Sequence, residues 1–139
     1  MSFLLDTNFI SEWLKPTPNS GVIEWSADTD EDRVFLSVVS LLEVRYGIER
    51  MAESARRKRL VEWLEADLPL RFEGRILAID APTADLCGKL IAGSEGRGRR
   101  MEVVDAFLAA TAEIHQLTIV TRNTSDFEVV TKNVLNPWN

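Results

Sequence analysis

Phe3-Leu4-Leu5-Asp6-Thr7-Asn8, near the start of the chain, gives the clearest indication of the fold. It joins an apolar triplet to an acid and then to two residues that can cap a helix. Short apolar runs of this kind are typical of strands buried on both faces of a parallel sheet. We therefore predict a strand over residues 3–5, followed by a helix that Thr7 and Asn8 cap and that runs to about Leu14.

The same pattern of strand and helix recurs along the chain. Further apolar runs that predict strands are Val34–Leu36, Ile76–Ile79, Leu117–Val120 and Val134–Leu135. Between them, helical spacing covers about 40–51, 53–67 with Pro69 as its end, 82–92 and 101–115. This alternation predicts a three-layer α/β/α fold, in which helices cover both faces of a parallel sheet of four or five strands.

Length and composition indicate one globular domain over residues 1–139, with 45% hydrophobic and 27% charged residues. The net charge of −6 disfavours a basic nucleic-acid coat protein. Cys87 is the only cysteine, which excludes an internal disulfide. Apolar runs are too short to span a membrane, and the N-terminus does not resemble a signal peptide, so we expect a cytoplasmic protein.

Four acidic residues lie after a predicted strand or near the start of a helix that connects two strands. Asp6 follows the first strand, and Glu43 lies in the first turn of the helix after the second strand. Asp105 lies in the first turns of the helix before the fourth strand, and Asp126 follows that strand. Because parallel strands end at one edge of the sheet, we expect these carboxylates to share a pocket. Carboxylates bind Mg²⁺ or Mn²⁺, and such ions can activate water to hydrolyse a phosphodiester.

Each acid also has a purely structural interpretation. Ser40-Leu41-Leu42-Glu43 matches a capping box, and an acid near a helix N-terminus is favoured by the helix dipole without any metal. Crowded acids, however, raise one another's pKa values, and Asp105 borders an apolar stripe where an unpaired carboxylate loses solvation. A bound cation would relieve both costs.

Together with their neighbours, these acids resemble the PIN-domain nucleases, and specifically the VapC-type toxins of bacterial toxin–antitoxin pairs. The matching blocks are residues 4–8, 37–47, 103–112 and 120–127, and the closing segment 134–138 is similar as well. The resemblance implies an endoribonuclease that depends on Mg²⁺ or Mn²⁺. It also implies a homodimer that a cognate antitoxin protein holds inactive.

The resemblance assigns roles to individual residues. It implies metal ligands at Asp6, Asp105 and Glu43, and leaves the fourth acidic position to either Asn123 or Asp126. It also implies supporting hydroxyl groups on Thr7 and Thr121.

Arginine side chains are candidates for binding RNA, because guanidinium groups match phosphate in bidentate geometry. The candidates are Arg122 and, in a glycine-rich segment over 93–100 that we predict to be a loop, Arg97, Arg99 and Arg100.

Two other functions are compatible with the same fold. A phosphoacceptor signalling domain would use Asp80, after the third strand, but would also need an acidic pair after the first strand and a lysine near the last. Only Asp6 and the poorly placed Lys132 are available for those positions. The other alternative is a catalytically inactive module that binds a protein partner. The sequence leaves the RNA target and the number of ions open.

Overall fold

β1 (Phe3–Leu5) forms the centre of the sheet in the computed structural model, which describes residues 1–139. The other strands are β2 (Val34–Ser37), β3 (Ile76–Leu77), β4 (Thr118–Val120) and β5 (Val134–Leu135). The order across the sheet is β3-β2-β1-β4-β5, and all four pairings are parallel. The predicted parallel α/β sheet is confirmed, with five strands.

Helices connect the strands and cover the sheet. They are α1 (Thr7–Trp13), α2 (Ser20–Asp28), α3 (Val38–Glu49), α4 (Ala55–Glu62), α5 (Leu68–Arg71), α6 (Ala81–Gly96) and α7 (Val103–His115). A π-helical turn, Trp63–Asp67, joins α4 to α5, and 3₁₀ turns cover Glu31–Arg33 and Thr124–Asp126. No helix is at once long enough and apolar enough to cross a membrane.

Two hydrophobic cores lie on opposite faces of the sheet, because successive strand residues point to opposite sides. Leu4 and Ile119 are fully buried in the core beneath α6 and α7. Leu5 and Val120 are fully buried in the core beneath α1, α2 and α5. The molecule therefore has the three predicted layers.

The topology reverses direction at β1. The chain adds β2 and β3 on one side of β1, and β4 and β5 on the other. Such a reversal opens a crevice beyond the carboxyl ends of the two central strands, where parallel sheets bind ligands. Asp6 and Thr121 follow β1 and β4 directly, and the Asp6 N–H donates to the Val120 carbonyl at 3.0 Å.

Several predicted boundaries were wrong for identifiable reasons. β3 ends at Leu77 rather than Ile79. Pro69 does not end the third helix, since it lies in the first turn of α5, where its missing N–H is tolerated. The helix before the arginine-rich segment continues to Gly96, so the predicted loop begins only at Arg97. Ser94 stabilises that helix end, because its buried hydroxyl donates to the Arg99 carbonyl at 2.6 Å.

Candidate active site

The four predicted acids line one cavity at the crevice between β1 and β4. Asp6, Glu43, Asp105 and Asp126 surround a space of about 420 Å³ together with Thr7 and Asn123. Each acid comes from a different part of the chain, and Asp105 is in the first turn of α7. The expectation that these carboxylates share a pocket is therefore correct, while their roles as ligands stay a prediction.

Asp6 is held in a fixed orientation by two hydrogen bonds. One carboxylate oxygen accepts the Thr7 N–H at 2.7 Å, and the other accepts the Thr121 hydroxyl at 2.8 Å. Asp6 is itself the N-cap of α1, so the prediction that Thr7 and Asn8 cap this helix was wrong. Burial raises the pKa of Asp6, although the two hydrogen bonds act in the opposite direction.

Thr121 links the two central strands beneath the cavity. While its hydroxyl donates to Asp6, the same oxygen accepts from the Asn8 amide at 3.3 Å and from the Asn123 N–H at 3.0 Å. Thr121 is fully buried, and its bond to Asp6 is shielded from solvent. The residue therefore positions both Asp6 and the turn that carries Asn123.

Glu43 reaches the cavity from the second turn of α3. The helix begins at Val38, because the Ser37 hydroxyl caps it by accepting the Val39 N–H at 3.1 Å. The prediction that Glu43 lies in the first turn was therefore wrong, and so was the capping-box interpretation. Glu43 instead accepts a short hydrogen bond from the Thr7 hydroxyl, whose oxygen lies 3.1 Å from that of Ser40.

Asp105 shows most clearly that the cavity is crowded with negative charge. Its side chain is half-buried. Loss of solvation raises the pKa of Asp105 to about 7, with further contributions from the charges of Asp6, Asp126 and Glu43. A carboxyl with this pKa is only partly ionised at neutral pH. A cation in the cavity would restore the ionised form.

The sequence left two candidates for the fourth acidic position, and both line the cavity. The Asp126 N–H donates to the Asn123 carbonyl at 3.1 Å, within the 3₁₀ turn that follows β4. Asp126 also contributes to the raised pKa values of Asp6 and Asp105. Asp126, three residues after Asn123, therefore supplies the negative charge that Asn123 lacks.

The chemistry of these side chains suits a hard cation. All the candidate ligands are oxygen atoms, and Cys87 and His115 do not line the cavity. No group of three or more His, Cys, Asp or Glu side chains is arranged to hold a metal ion by itself. Oxygen ligands are those that Mg²⁺ prefers, and this ion usually binds one or two carboxylates and completes its shell with water and substrate phosphate.

The four candidate arginines do not lie together. Arg122 lines the cavity, whereas Arg97, Arg99 and Arg100 do not. Arg97 and Arg99 instead donate to the carbonyls of Val129 and Ser125, at 3.2 and 3.4 Å. These two bonds tie the end of α6 to the segment next to the cavity.

Sequence reasoning missed five residues that line the cavity. Four are on α1 or just beyond it, namely Asn8, Ser11, Glu12 and Lys15, and the fifth is Trp138. Asn8, Ser11 and Glu12 follow the spacing i, i+3 and i+4, which places them on one face of α1, and Lys15 lies two residues beyond the end of the helix. This polar stripe is visible in the sequence and could have predicted the wall that they form.

The geometry disfavours the phosphoacceptor interpretation. Asp80 follows β3, which is an edge strand, and does not line the cavity. Its carboxylate caps α6 by accepting the Thr83 N–H at 3.1 Å and the Thr83 hydroxyl at 2.6 Å. Both bonds lower the pKa of Asp80, and the bond from the Thr83 hydroxyl has the larger effect. Asp80 therefore has a structural role in this fold.

Comparison with known proteins agrees with this geometry. Residues 3–133 match the model of the PIN domain. The chain is 36% identical over 135 residues to toxin FitB of Neisseria gonorrhoeae, covering 97% of both proteins. It is 32% identical to the VapC ribonuclease Y4jK of Sinorhizobium fredii, covering 97% of this chain and 96% of that protein.

The fold comparison gives the same result. The structure of FitAB bound to the IR36 DNA fragment matches with a TM-score of 0.92 and 34% identity, over 99% of this chain and 96% of the matched chain. A domain model that spans nearly the whole sequence, relatives above 30% identity and a shared fold lead to one conclusion. This chain belongs to the PIN domain family.

Proposed function

We propose that this protein is a metal-dependent endoribonuclease and the toxin of a type II toxin–antitoxin pair. The observation that carries the proposal is the gathering of four carboxylates from separate elements around one cavity, with the pKa of Asp105 raised to about 7 by burial and charge. Membership of the PIN domain family and similarity to a VapC ribonuclease support it.

The candidate ligands are Asp6, Glu43, Asp105 and Asp126, and the ion is Mg²⁺ or Mn²⁺. When bound, such an ion lowers the pKa of water and stabilises charge on phosphate oxygens. The protein's own contribution is to orient the carboxylates before the ion arrives. Thr121 and the Thr7 N–H hold both oxygens of Asp6, and the Thr7 hydroxyl holds one oxygen of Glu43.

Arg122 is the arginine best placed to contact RNA, because it lines the cavity and no carboxylate pairs with its guanidinium group. Arg97, Arg99 and Arg100 are exposed and stay candidates for contacts with a longer substrate. Arginine suits this task because its planar group donates two parallel hydrogen bonds to phosphate.

An antitoxin protein is the proposed partner. Support comes from the similarity to toxin FitB and from the FitAB assembly that contains the matched chain. A basic segment of such a partner would be attracted to the acidic cavity, in a protein whose net charge is −6. The homodimer stays a prediction from the family resemblance, and the cytoplasmic location stays a prediction from the sequence.

RNA cleavage tests the proposal directly. Purified protein is incubated with labelled transfer, ribosomal and messenger RNA in Mg²⁺, in Mn²⁺ and in EDTA. We expect cleavage only with metal, and a loss of more than about 100-fold in Asp6→Asn and Asp105→Ala, since even the partners of metal ligands contribute 10–100-fold.

Asp80→Asn is the matched control, because asparagine keeps a cap on α6 while removing a carboxylate outside the cavity. This variant should cleave like the wild type. Full activity of Asp105→Ala would refute the site. Absence of cleavage in a folded wild type that still binds its antitoxin would favour the inactive binding module, and a stable phosphate on Asp80 after incubation with a phosphodonor would favour the signalling domain.

A further inference from the structure

The cavity extends beyond the four carboxylates to a wall of different chemistry. This wall contains Lys15, at the end of the polar stripe of α1, and Trp138, near the C-terminus. Trp138 is the one hydrophobic residue among those that line the cavity. A cation and an aromatic ring therefore lie beside the acidic cluster.

Glu12 holds both of these side chains. One oxygen of its carboxylate accepts from the Lys15 ammonium at 2.9 Å and from the Trp138 indole N–H at 3.3 Å. The other oxygen accepts the Asn19 N–H at 2.9 Å. Glu12 is only 5% exposed and its charge is already compensated, unlike the charges of the four acids across the cavity. It is therefore an anchor for the wall.

The C-terminal segment is seated so that Trp138 is held in place. Gly21 lies directly beneath it, and a Cβ at this position would be only 2.2 Å from the Pro137 carbonyl oxygen. The Asn139 N–H donates to the Asn19 side chain at 3.3 Å. The indole also meets the ring of Phe9 edge to face, with centroids 5.8 Å apart. These contacts fix the ring before any ligand binds.

We propose that Lys15 and Trp138, anchored by Glu12, form a subsite for one nucleotide next to the bond that is cut. This inference rests on the proposed ribonuclease function. A nucleotide offers an anionic phosphate and an aromatic base. The Lys15 side chain is 52% exposed and can donate to the phosphate while it stays close to Glu12. The ring of Trp138 offers the base an apolar surface that accepts any sequence.

This arrangement implies a path for the RNA strand across the cavity. The four carboxylates with their ion would take the phosphate that reacts, and Lys15 would take the neighbouring phosphate along the strand. The cavity volume of about 420 Å³ falls within the roughly 300–1,000 Å³ of ligand pockets. The subsite therefore explains why a site for an anionic polymer has a cation on one wall and acids on the other.

The test uses a fluorescein-labelled single-stranded RNA of twelve nucleotides, with steady-state cleavage in Mg²⁺ and equilibrium binding in EDTA at several salt concentrations. Lys15→Met should raise KM and Kd about fivefold, with kcat unchanged within about twofold. It should also reduce the slope of log K against log salt by about 0.7, which is the value of one phosphate contact on a single strand.

Lys89→Met is the matched control. Lys89 is also an exposed lysine paired with a carboxylate that is near in the sequence, Asp85 at 3.2 Å, but it does not line the cavity. This variant should retain the KM, the Kd and the salt slope of the wild type. Any difference between Lys15→Met and Lys89→Met therefore reports the position of the charge.

Trp138 and Glu12 are tested separately. Trp138→Ala should raise KM about fivefold or more and leave the salt slope unchanged, whereas Trp138→Phe should keep most of the affinity because a ring remains. Glu12→Ala should raise KM without lowering kcat. Glu12→Gln, which keeps an acceptor oxygen for Trp138, should restore KM to within about threefold of the wild type.

The outcomes separate the two proposals. If the wild type neither cleaves nor binds any RNA, the ribonuclease proposal fails and the subsite fails with it. If the wild type cleaves while Lys15→Met behaves like Lys89→Met, and folded Trp138→Ala keeps the wild-type KM, the subsite alone is overturned. Should Trp138→Ala fail to fold, the salt slope of Lys15→Met still decides.

Discussion

Replacing Asp105 with asparagine is expected to stabilise the metal-free protein. The cavity raises the pKa of this carboxyl to about 7 from an ordinary value of 3.8. A difference of this size costs the ionised form about 4 kcal/mol. Because the side chain is only half-buried, solvent screening reduces the gain expected from removing its charge to about 1–2 kcal/mol. Asparagine keeps the shape of the side chain and removes the charge.

The sign of the pH dependence follows from the same pKa. The folded protein holds the Asp105 proton more tightly than the unfolded chain, so this group lowers the free energy of unfolding as the pH rises from about 4 to about 7. The full penalty is present at pH 8. Asp105→Asn should therefore be most stabilised, relative to wild type, at pH 8 and should lose the advantage near pH 4.

Thermal unfolding in EDTA at pH 8 measures the effect. For a chain of this size, 1–2 kcal/mol corresponds to a rise in Tm of about 3–6 °C. Added Mg²⁺ or Mn²⁺ should reverse the order, because the wild type gains stability from binding and the variant loses a ligand. Asp85→Asn controls for the loss of one negative charge, since Asp85 is an exposed residue outside the cavity.

An equal or lower Tm of Asp105→Asn in EDTA would contradict this prediction, because it would show that the folded protein does not destabilise the ionised form of Asp105. A wild-type Tm that does not respond to millimolar metal would count against the cation site itself.

Two further predictions concern the framework of the cavity. Thr121→Val removes the hydroxyl that donates to Asp6, so we expect a loss of about 1–3 kcal/mol in the free energy of unfolding and weaker metal binding, measured by denaturant titration and calorimetry. Unchanged metal affinity would contradict the role of Thr121. Gly21→Ala should displace the C-terminal segment and cost about 1–3 kcal/mol, because its Cβ would meet the Pro137 carbonyl oxygen. Gly47→Ala, in an exposed part of α3 with nothing within 4 Å, should instead stabilise by about 0.5–1 kcal/mol, and equal effects of the two substitutions would contradict the packing argument.

Much of the fold and of the acidic site could be predicted because the relevant signals are local. An apolar triplet that ends at Asp6 predicts a buried strand with an acid at its carboxyl end, and the strand that ends at Val120 is followed by a turn that carries Asp126. Once the strands are taken as parallel, the meeting of these acids at one edge follows from topology alone.

Local signals failed where two nearby residues compete for one role. Ser37 and Ser40 can each start a helix, and the sequence favours Ser40 because Glu43 stands three residues later. The sheet decides otherwise, since Ser37 pairs with Leu77 at the end of β2 and its side chain caps α3 at once. Glu43 therefore does not cap the helix, and its side chain lines the cavity.

The alternation of strands and helices, the parallel sheet and the four acids at its edge could be predicted from local patterns, because periodicity and strand ends are properties of neighbouring residues. Packing in three dimensions places Glu12 against both Lys15 and Trp138, since Glu12 and Trp138 are 126 positions apart in the chain. It also places Thr121 where it orients Asp6 across the two central strands. Hydrogen bonds between distant segments depend on how closely their backbones pack, and no local pattern carries that information.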